Sequence, residues 1–136
     1  MRHKKNNNRL GRTTAHRKAT MSALICGLVA EKRIKTTVAK AKAAKRCADK
    51  MVTLGRKGSL AARRQAMTFL NSKEGVAELF DKITPGLAER QGGYTRIIKL
   101  GRRSSDGSEM ALLEWVGIAV PDRKKKKKAA ETEQKR

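Results

Sequence analysis

Two histidines, two cysteines and twelve carboxylates are the groups in this 136-residue chain that could do catalytic chemistry, and their placement argues against it. His3 and His16 lie among Arg2, Lys4, Lys5, Arg12, Arg17 and Lys18, where neighbouring cations disfavour a protonated imidazole. Acid–base work by a histidine needs a carboxylate or a nucleophile nearby, and residues 1–30 contain no acid. Both histidines therefore read as neutral donors or stacking groups on a nucleic acid, with plain tail residues as the alternative for His3. Cys26 falls on an apolar helical face and reads as core. Cys47 sits in a Lys-rich helix, a setting that can lower a thiol pKa, although structural use is the simpler expectation. With no C-x-x-C pair, neither a disulfide framework nor a zinc site is expected, and a reducing compartment fits. No spaced carboxylate pair flanks a nucleophile and no metal-ligand cluster occurs. The expected inventory is no catalytic residue, no metal and no cofactor.

What the chain has in quantity is positive charge. Lys and Arg number 34 against 12 acids, a formal charge of +22. Such self-repulsion adds nothing to fold stability, so a polyanionic partner is the economical explanation, and nucleic-acid phosphate the first candidate. A membrane surface is the rival, but no run of eighteen apolar residues exists, so no span is expected. Met1 to Thr20, MRHKKNNNRLGRTTAHRKAT, holds seven bases and no acid. Apolar residues are sparse before Ala15, so this segment cannot offset its ordering entropy until a polyanion orders it. Its Arg, Lys and Asn side chains suit phosphate and sugar oxygens. It lacks the apolar h-region of a secretory signal; an Arg-rich, acid-free mitochondrial presequence is not separated from it by composition alone. Residues 31–73 carry thirteen bases against two acids, whereas residues 74–90 reverse to two against four. That acidic stretch is expected to face water or a protein neighbour.

The elements that must position these groups follow from capping and periodicity. Thr13 or Thr14 caps a helix to about Ala30, with Ala15, Ala19, Ser22, Ala23, Cys26 and Val29 or Ala30 as its stripe and Leu24, Ile25 and Leu28 widening it. Cations in its first turn oppose the helix dipole, a conflict that a bound phosphate would reverse. Residues 33–37 read as a strand. Thr36 or Thr37 then caps a helix from Val38 to Leu54, whose stripe is Val38, Ala41, Ala44, Ala48 and Val52. Lys40, Lys42, Lys45, Arg46 and Lys50 cover its other faces without balancing Glu at i±4. Gly55-Arg56-Lys57-Gly58 stops that helix, Ser59 caps a third (60–70), and Ser72 a fourth with Val76, Leu79, Phe80 and Ile83 inward. Tyr94 to Leu100 and Glu109 to Val116 read as strands joined by a loop at 104–108. The expected fold is α+β, order α-β-α-α-α-β-β: two layers, helices packed on one face of a small three-stranded sheet. Three parts are expected: a basic arm (1–12), a single domain (13–118), and a Lys-rich disordered tail (119–136).

Several stretches in order resemble the bacterial large-subunit ribosomal protein seventeen (L-seventeen) family. They are the opening MRH, Leu10-Gly11-Arg12, His16-Arg17, Ile34-Lys35-Thr36-Thr37, Lys40-Ala41-Lys42, Met110-Ala111 and, most specific, Gly92-Gly93-Tyr94-Thr95-Arg96-Ile97. The resemblance spans roughly residues 1 to 116. Glu109 departs from it, standing where the family often has Pro, and so does the Lys-rich extension from Pro121. It implies a basic N-terminus that belongs to the mature protein, and not a presequence. It also implies a structural, non-enzymatic component of the large ribosomal subunit, cytoplasmic and without a small-molecule substrate. Its partners are then large-subunit ribosomal RNA, near the mouth of the peptide exit tunnel, and neighbouring ribosomal proteins.

The residues expected to meet RNA are Arg2, His3, Lys4, Lys5, Arg9, Arg12, His16, Arg17 and Lys18 from the arm and first helix. Lys35, Lys40 and Lys42 follow, and Arg96, Lys99, Arg102 and Arg103 form a second contact from the hairpin. With two Phe, one Tyr and one Trp, the chain has no base-stacking platform of the RRM or OB kind, and Phe69 and Phe80 read as core. Gly55 to Gly58 also matches the G-x-x-G loop of KH domains, although a KH domain needs a strand where Ser72 opens a helix. A nucleoid-type DNA-compacting protein with basic tails is the alternative reading.

Overall fold

The computed structural model describes residues 8–120. Arg2, His3, Lys4 and Lys5, and the tail from Pro121, lie outside the described residues. The chain folds as α1 (Thr14–Glu31), β1 (Arg33–Thr37), α2 (Val38–Lys57), α3 (Leu60–Leu70) and α4 (Lys73–Glu78). A π-helical segment (Leu79–Ile83) and a short α5 (Thr84–Gly86) continue from α4, and β2 (Thr95–Arg102) and β3 (Glu109–Trp115) close the domain. The fold is α+β. The sheet order is β1-β3-β2, antiparallel throughout. The β2–β3 hairpin thus brings its second strand to the centre, and β1 pairs with that strand's free edge.

Local rules set most boundaries. Thr13, Ser59 and Ser72 occupy the N-caps of α1, α3 and α4, accepting from the amides of His16, Ala62 and Gly75 at 3.4, 3.2 and 3.1 Å. Thr37 holds the same position on α2, but its side chain makes no capping bond. At the other end of α1, Lys32 takes a left-handed conformation, and its ammonium donates to the Val29 carbonyl and to Glu78 at 2.9 Å. A cation at a helix C-terminus offsets carbonyls the helix leaves unpaired.

Two expectations are corrected by packing. The buried stripe of α1 is Met21, Ser22, Ile25, Leu28 and Val29, whereas Ala15, Ala19, Ala23 and Ala30 are exposed. Alanine contributes little apolar area, so the longer side chains decide which face turns inward. The second helix does not stop at Leu54 but runs through Gly55 to Lys57, capped by Gly58. Its expected stripe is buried throughout, with Met51 and Gly55 added.

α1 and α2 pack on one face of the sheet, and α3, α4 and the π-helical segment pack on α1 and α2. Ile25, Leu28, Val52, Leu79, Ile83, Leu113 and Trp115 are all but inaccessible, each contributing roughly 1.5–3 kcal/mol by burial. Polar atoms that enter this core are paired: Trp115 Nε1 donates to the Leu28 carbonyl at 2.9 Å, and Ser22 Oγ to the Leu70 carbonyl at 2.8 Å. The β-bulge between Lys99 and Gly101 carries β2 past the expected end at Leu100 to Arg102.

Gly93 has φ +60° with open space around a would-be Cβ, whereas Gly92 has neither a positive φ nor a neighbour. The pair therefore turns the chain into β2 through Gly93. Gly93→Val is expected to cost about 1 kcal/mol or more, because an L side chain is strained there. Gly92→Ala should be neutral or stabilising by at most about 1 kcal/mol. Chemical denaturation of both variants checks the contrast.

Candidate nucleic-acid interface

The cations expected to meet RNA fall in three places among the described residues. The first is the entry to α1. Residues 9–12 form a turn closed by Arg12 N donating to the Arg9 carbonyl at 3.1 Å, with Leu10 packed against the core. Arg12 Nε donates to His16 Nε2 at 3.4 Å, and its terminal nitrogen to the Leu10 carbonyl at 3.3 Å. The turn thus fixes one guanidinium beside a helix start whose first turn holds no acid. Arg9, His16 and Lys18 are exposed, Arg12 and Arg17 half-buried.

The second place is the junction of β1 and α2. Lys35 is exposed on β1, and Lys40 and Lys42 lie in the first turns of α2. A broad concavity of ≈ 520 Å³ joins Asn8, Thr37, Lys42, Ser108 and Glu109. The arm's end, the start of α2 and the hairpin loop therefore meet.

The third is the hairpin, where several expected cations already have protein partners. Arg33, Glu114 and Arg96 form one row across the three strands. The Glu114 carboxylate is 1% exposed and accepts from both guanidiniums, one oxygen each. Burial pushes this carboxyl up, but the hydrogen bonds from Arg96 and Arg33 outweigh it and hold it below the usual range. Arg103 grips Asp106 with two nitrogens at 2.8 and 2.6 Å. Those bonds, with Ser108 as a further donor, hold the Asp106 carboxyl far below the carboxylate range. Arg96 and Arg103 are thus oriented by acids and offer phosphate only their remaining N–H groups. Arg9, Arg12, Arg17, Lys18, Lys35, Lys40, Lys42, Lys99 and Arg102 form no ion pair with a carboxylate among the described residues.

Glu114 has a consequence for acid stability. Its folded pKa lies below the unfolded value of about 4.3, so its contribution is complete above that pH. It is lost as pH falls through the folded pKa. Glu114→Gln is expected to cost about 1–2 kcal/mol at pH 7, through a weakened buried hydrogen-bond set. It should also shrink the gap between urea midpoints at pH 7 and pH 3.

Other singled-out groups resolve plainly. Burial raises the Cys47 thiol pKa despite Lys50 and Arg46, so the lowered value that a Lys-rich helix invites is overturned. Cys26 is raised too, by burial, and its thiol donates to the Leu70 carbonyl at 3.4 Å. The Gly55–Gly58 stretch makes no KH-type clamp: Gly55 is buried within α2. Arg56 donates to the Arg90 carbonyl and the Tyr94 hydroxyl at 2.9 and 3.0 Å, holding the segment before β2. Phe80 is core with the Arg63 guanidinium over its ring at 4.7 Å, but Phe69 is only half-buried. Sequence reasoning missed the orienting roles of Arg33, Glu114 and Arg56. A glutamate in the otherwise apolar run Met110–Trp115 was the available signal for the first two. Of the acidic stretch, Glu78 pairs with Lys32 and Lys82, and Asp81 with Arg63. Among the described residues no group of three or more His, Cys, Asp or Glu is placed to hold a metal, and no helix is long and apolar enough to cross a membrane.

Comparison with known proteins places these features in company. A family model described as Ribosomal protein L17 matches residues 20–116. The chain is 47% identical over 131 residues to the large ribosomal subunit protein bL17 of Methylacidiphilum infernorum, covering 96% of this chain and 100% of that protein. The protein of the same name from Koribacter versatilis is 46% identical over 131 residues, 96% of this chain and 81% of its own length. That of Fusobacterium nucleatum is 47% identical over 116 residues, 85% of this chain and all of its own.

Proposed function

The chain belongs to the Ribosomal protein L17 family, and from that premise we propose that it is a structural constituent of the large ribosomal subunit. It binds the subunit's large RNA through phosphate contacts near the mouth of the peptide exit tunnel, in the cytoplasm, beside other ribosomal proteins, and it is not an enzyme. The observation that carries the reading is the set of cations at the arm's base, α1 and α2 that have no carboxylate partner among the described residues, in a chain of charge +22. Cations that fold stability does not use are what a phosphate-rich partner requires. The tunnel-mouth placement rests on the family resemblance alone.

Arg2, Lys4, Lys5, Arg9, Arg12, Arg17 and Lys18 neutralise phosphates that would otherwise repel one another where RNA helices meet, with His3 and His16 as neutral donors or stacking groups. Lys35, Lys40 and Lys42 extend that contact along β1 and α2. Lys99 and Arg102 lead the second contact, and Arg96 and Arg103 join it in orientations set by Glu114 and Asp106. Pull-down of the tagged chain from lysate, with RNase or DNase treatment, tests the reading. Loss of co-purifying material on RNase alone is expected; loss on DNase alone would favour a DNA-compacting protein instead.

A further inference from the structure

Between the first half of α1, the middle of α2 and the end of α3 lies a slot of ≈ 160 Å³. Leu10, Met21, Cys47 and Phe69 give it apolar walls, and Arg17 and Lys18 also line it. Phe69, which a reading of the sequence assigns to the core, is half-buried: it packs against the core and also lines this space. Burial keeps the Cys47 thiol protonated at neutral pH, so that wall carries no charge to repel a phosphate.

We propose that this slot receives one unstacked nucleobase of the bound RNA, its ring against Phe69 and its phosphate on Arg17 or Lys18. The inference rests on the RNA-binding reading above and adds a contact of a different kind to it. An apolar slot beside two cations matches a nucleotide, which joins a flat, weakly polar base to an anion. An acidic peptide would use the cations but leave the aromatic wall in water. A base within an A-form helix is held in its stack and cannot enter, so the nucleotide comes from a loop, bulge or strand end. Stacking on Phe69 offsets the cost of taking the base out of its own stack. One aromatic at a half-enclosed slot thus does locally what the scarcity of aromatics rules out for an open platform.

The test is filter binding of the full chain to a transcript of large-subunit ribosomal RNA. Phe69→Leu keeps an apolar filler but removes the ring, and Phe69→Tyr keeps the ring. Phe69→Leu should lower affinity about 5- to 100-fold, with an unchanged salt slope because no cation is lost. Phe69→Tyr should restore binding, and both variants should melt close to the parent. Chemical probing should find one unpaired base whose protection is present with the parent and absent with Phe69→Leu. Unchanged affinity and footprint in Phe69→Leu overturns the proposal, including the case where that variant enters large subunits poorly, which would give the slot to a protein neighbour. Equal weakening by Leu and Tyr, or weakening matched by a fall in melting temperature, overturns it as well. A parent chain that fails to bind the transcript at all removes the RNA-binding reading itself.

Discussion

Replacing Gly55 by alanine is expected to destabilise the fold by about 2–5 kcal/mol, a large part of the stability of a small domain. A Cβ at Gly55 would lie 2.1 Å from Thr84 Oγ1 and 3.2 Å from two further Thr84 carbons. Neither side can yield cheaply. Gly55 is buried within α2, and Thr84 is buried where α5 follows the π-helical segment. The Thr84 hydroxyl donates to the Leu79 carbonyl at 2.8 Å, joining the Thr84 amide, which donates to the same carbonyl. Rotating Thr84 away forfeits that buried bond, about 1–3 kcal/mol, and pushing the helices apart costs a similar amount in overpacking. The double variant Gly55→Ala with Thr84→Ala should therefore be less destabilised than the sum of its singles. Urea midpoints of the four proteins measure this, and strict additivity would contradict a direct clash.

This contact also marks a limit of what the sequence makes legible. The stretch Gly55 to Gly58 carries every local signal of a helix stop, and glycine's poor helix propensity supports that signal. The helix nevertheless runs through Gly55, and Thr84, a residue remote in sequence, fills the space a Cβ would take there, so this glycine serves a close approach. Thr13, Ser59 and Ser72 were readable as caps because a cap depends on the next three residues only. β1, α3 and the hairpin loop were readable for the same reason. Of the face assigned to α1, Ser22, Ile25, Leu28 and Val29 are buried but Ala15, Ala19 and Ala23 are not, because spacing alone does not weigh a methyl group against an isoleucine. Glu114 was equally opaque: its partners Arg33 and Arg96 stand 81 and 18 residues away, and only the strand order β1-β3-β2 brings them to either side of it. The cations of the candidate interface could be counted from the sequence. Which of them the fold itself employs, Arg33, Arg56, Arg96 and Arg103 among them, could not.

Deleting residues 2–12 is expected to have the largest effect on binding. It removes five cations, Arg2, Lys4, Lys5, Arg9 and Arg12. If each meets a phosphate, the slope of log K against log salt flattens by about 3.5 to 4.5 units. At moderate salt, a change of that size amounts to a loss of several orders of magnitude in affinity. The fold should lose little, because Leu10 is the one residue of the described part of this segment that packs against the core. Deleting residues 124–136 should matter less to specific binding, since that run lies beyond residues 20–116, the span that the family model matches. Filter binding across a salt series separates these outcomes: lost affinity at an unchanged slope would mean that the arm acts by shape and not by charge.

The central claim is that this chain is a built-in part of the large ribosomal subunit, held there by RNA. Co-sedimentation through a high-salt sucrose gradient tests it most directly, with the full tagged chain expressed in bacterial cells and the gradient fractions probed for the tag. The account predicts that the chain travels with the large subunit, in near-equal amount with it, and stays there at salt concentrations that strip loosely bound cationic proteins. A chain that remains at the top of the gradient, or that sediments with DNA and is released by DNase, would contradict it.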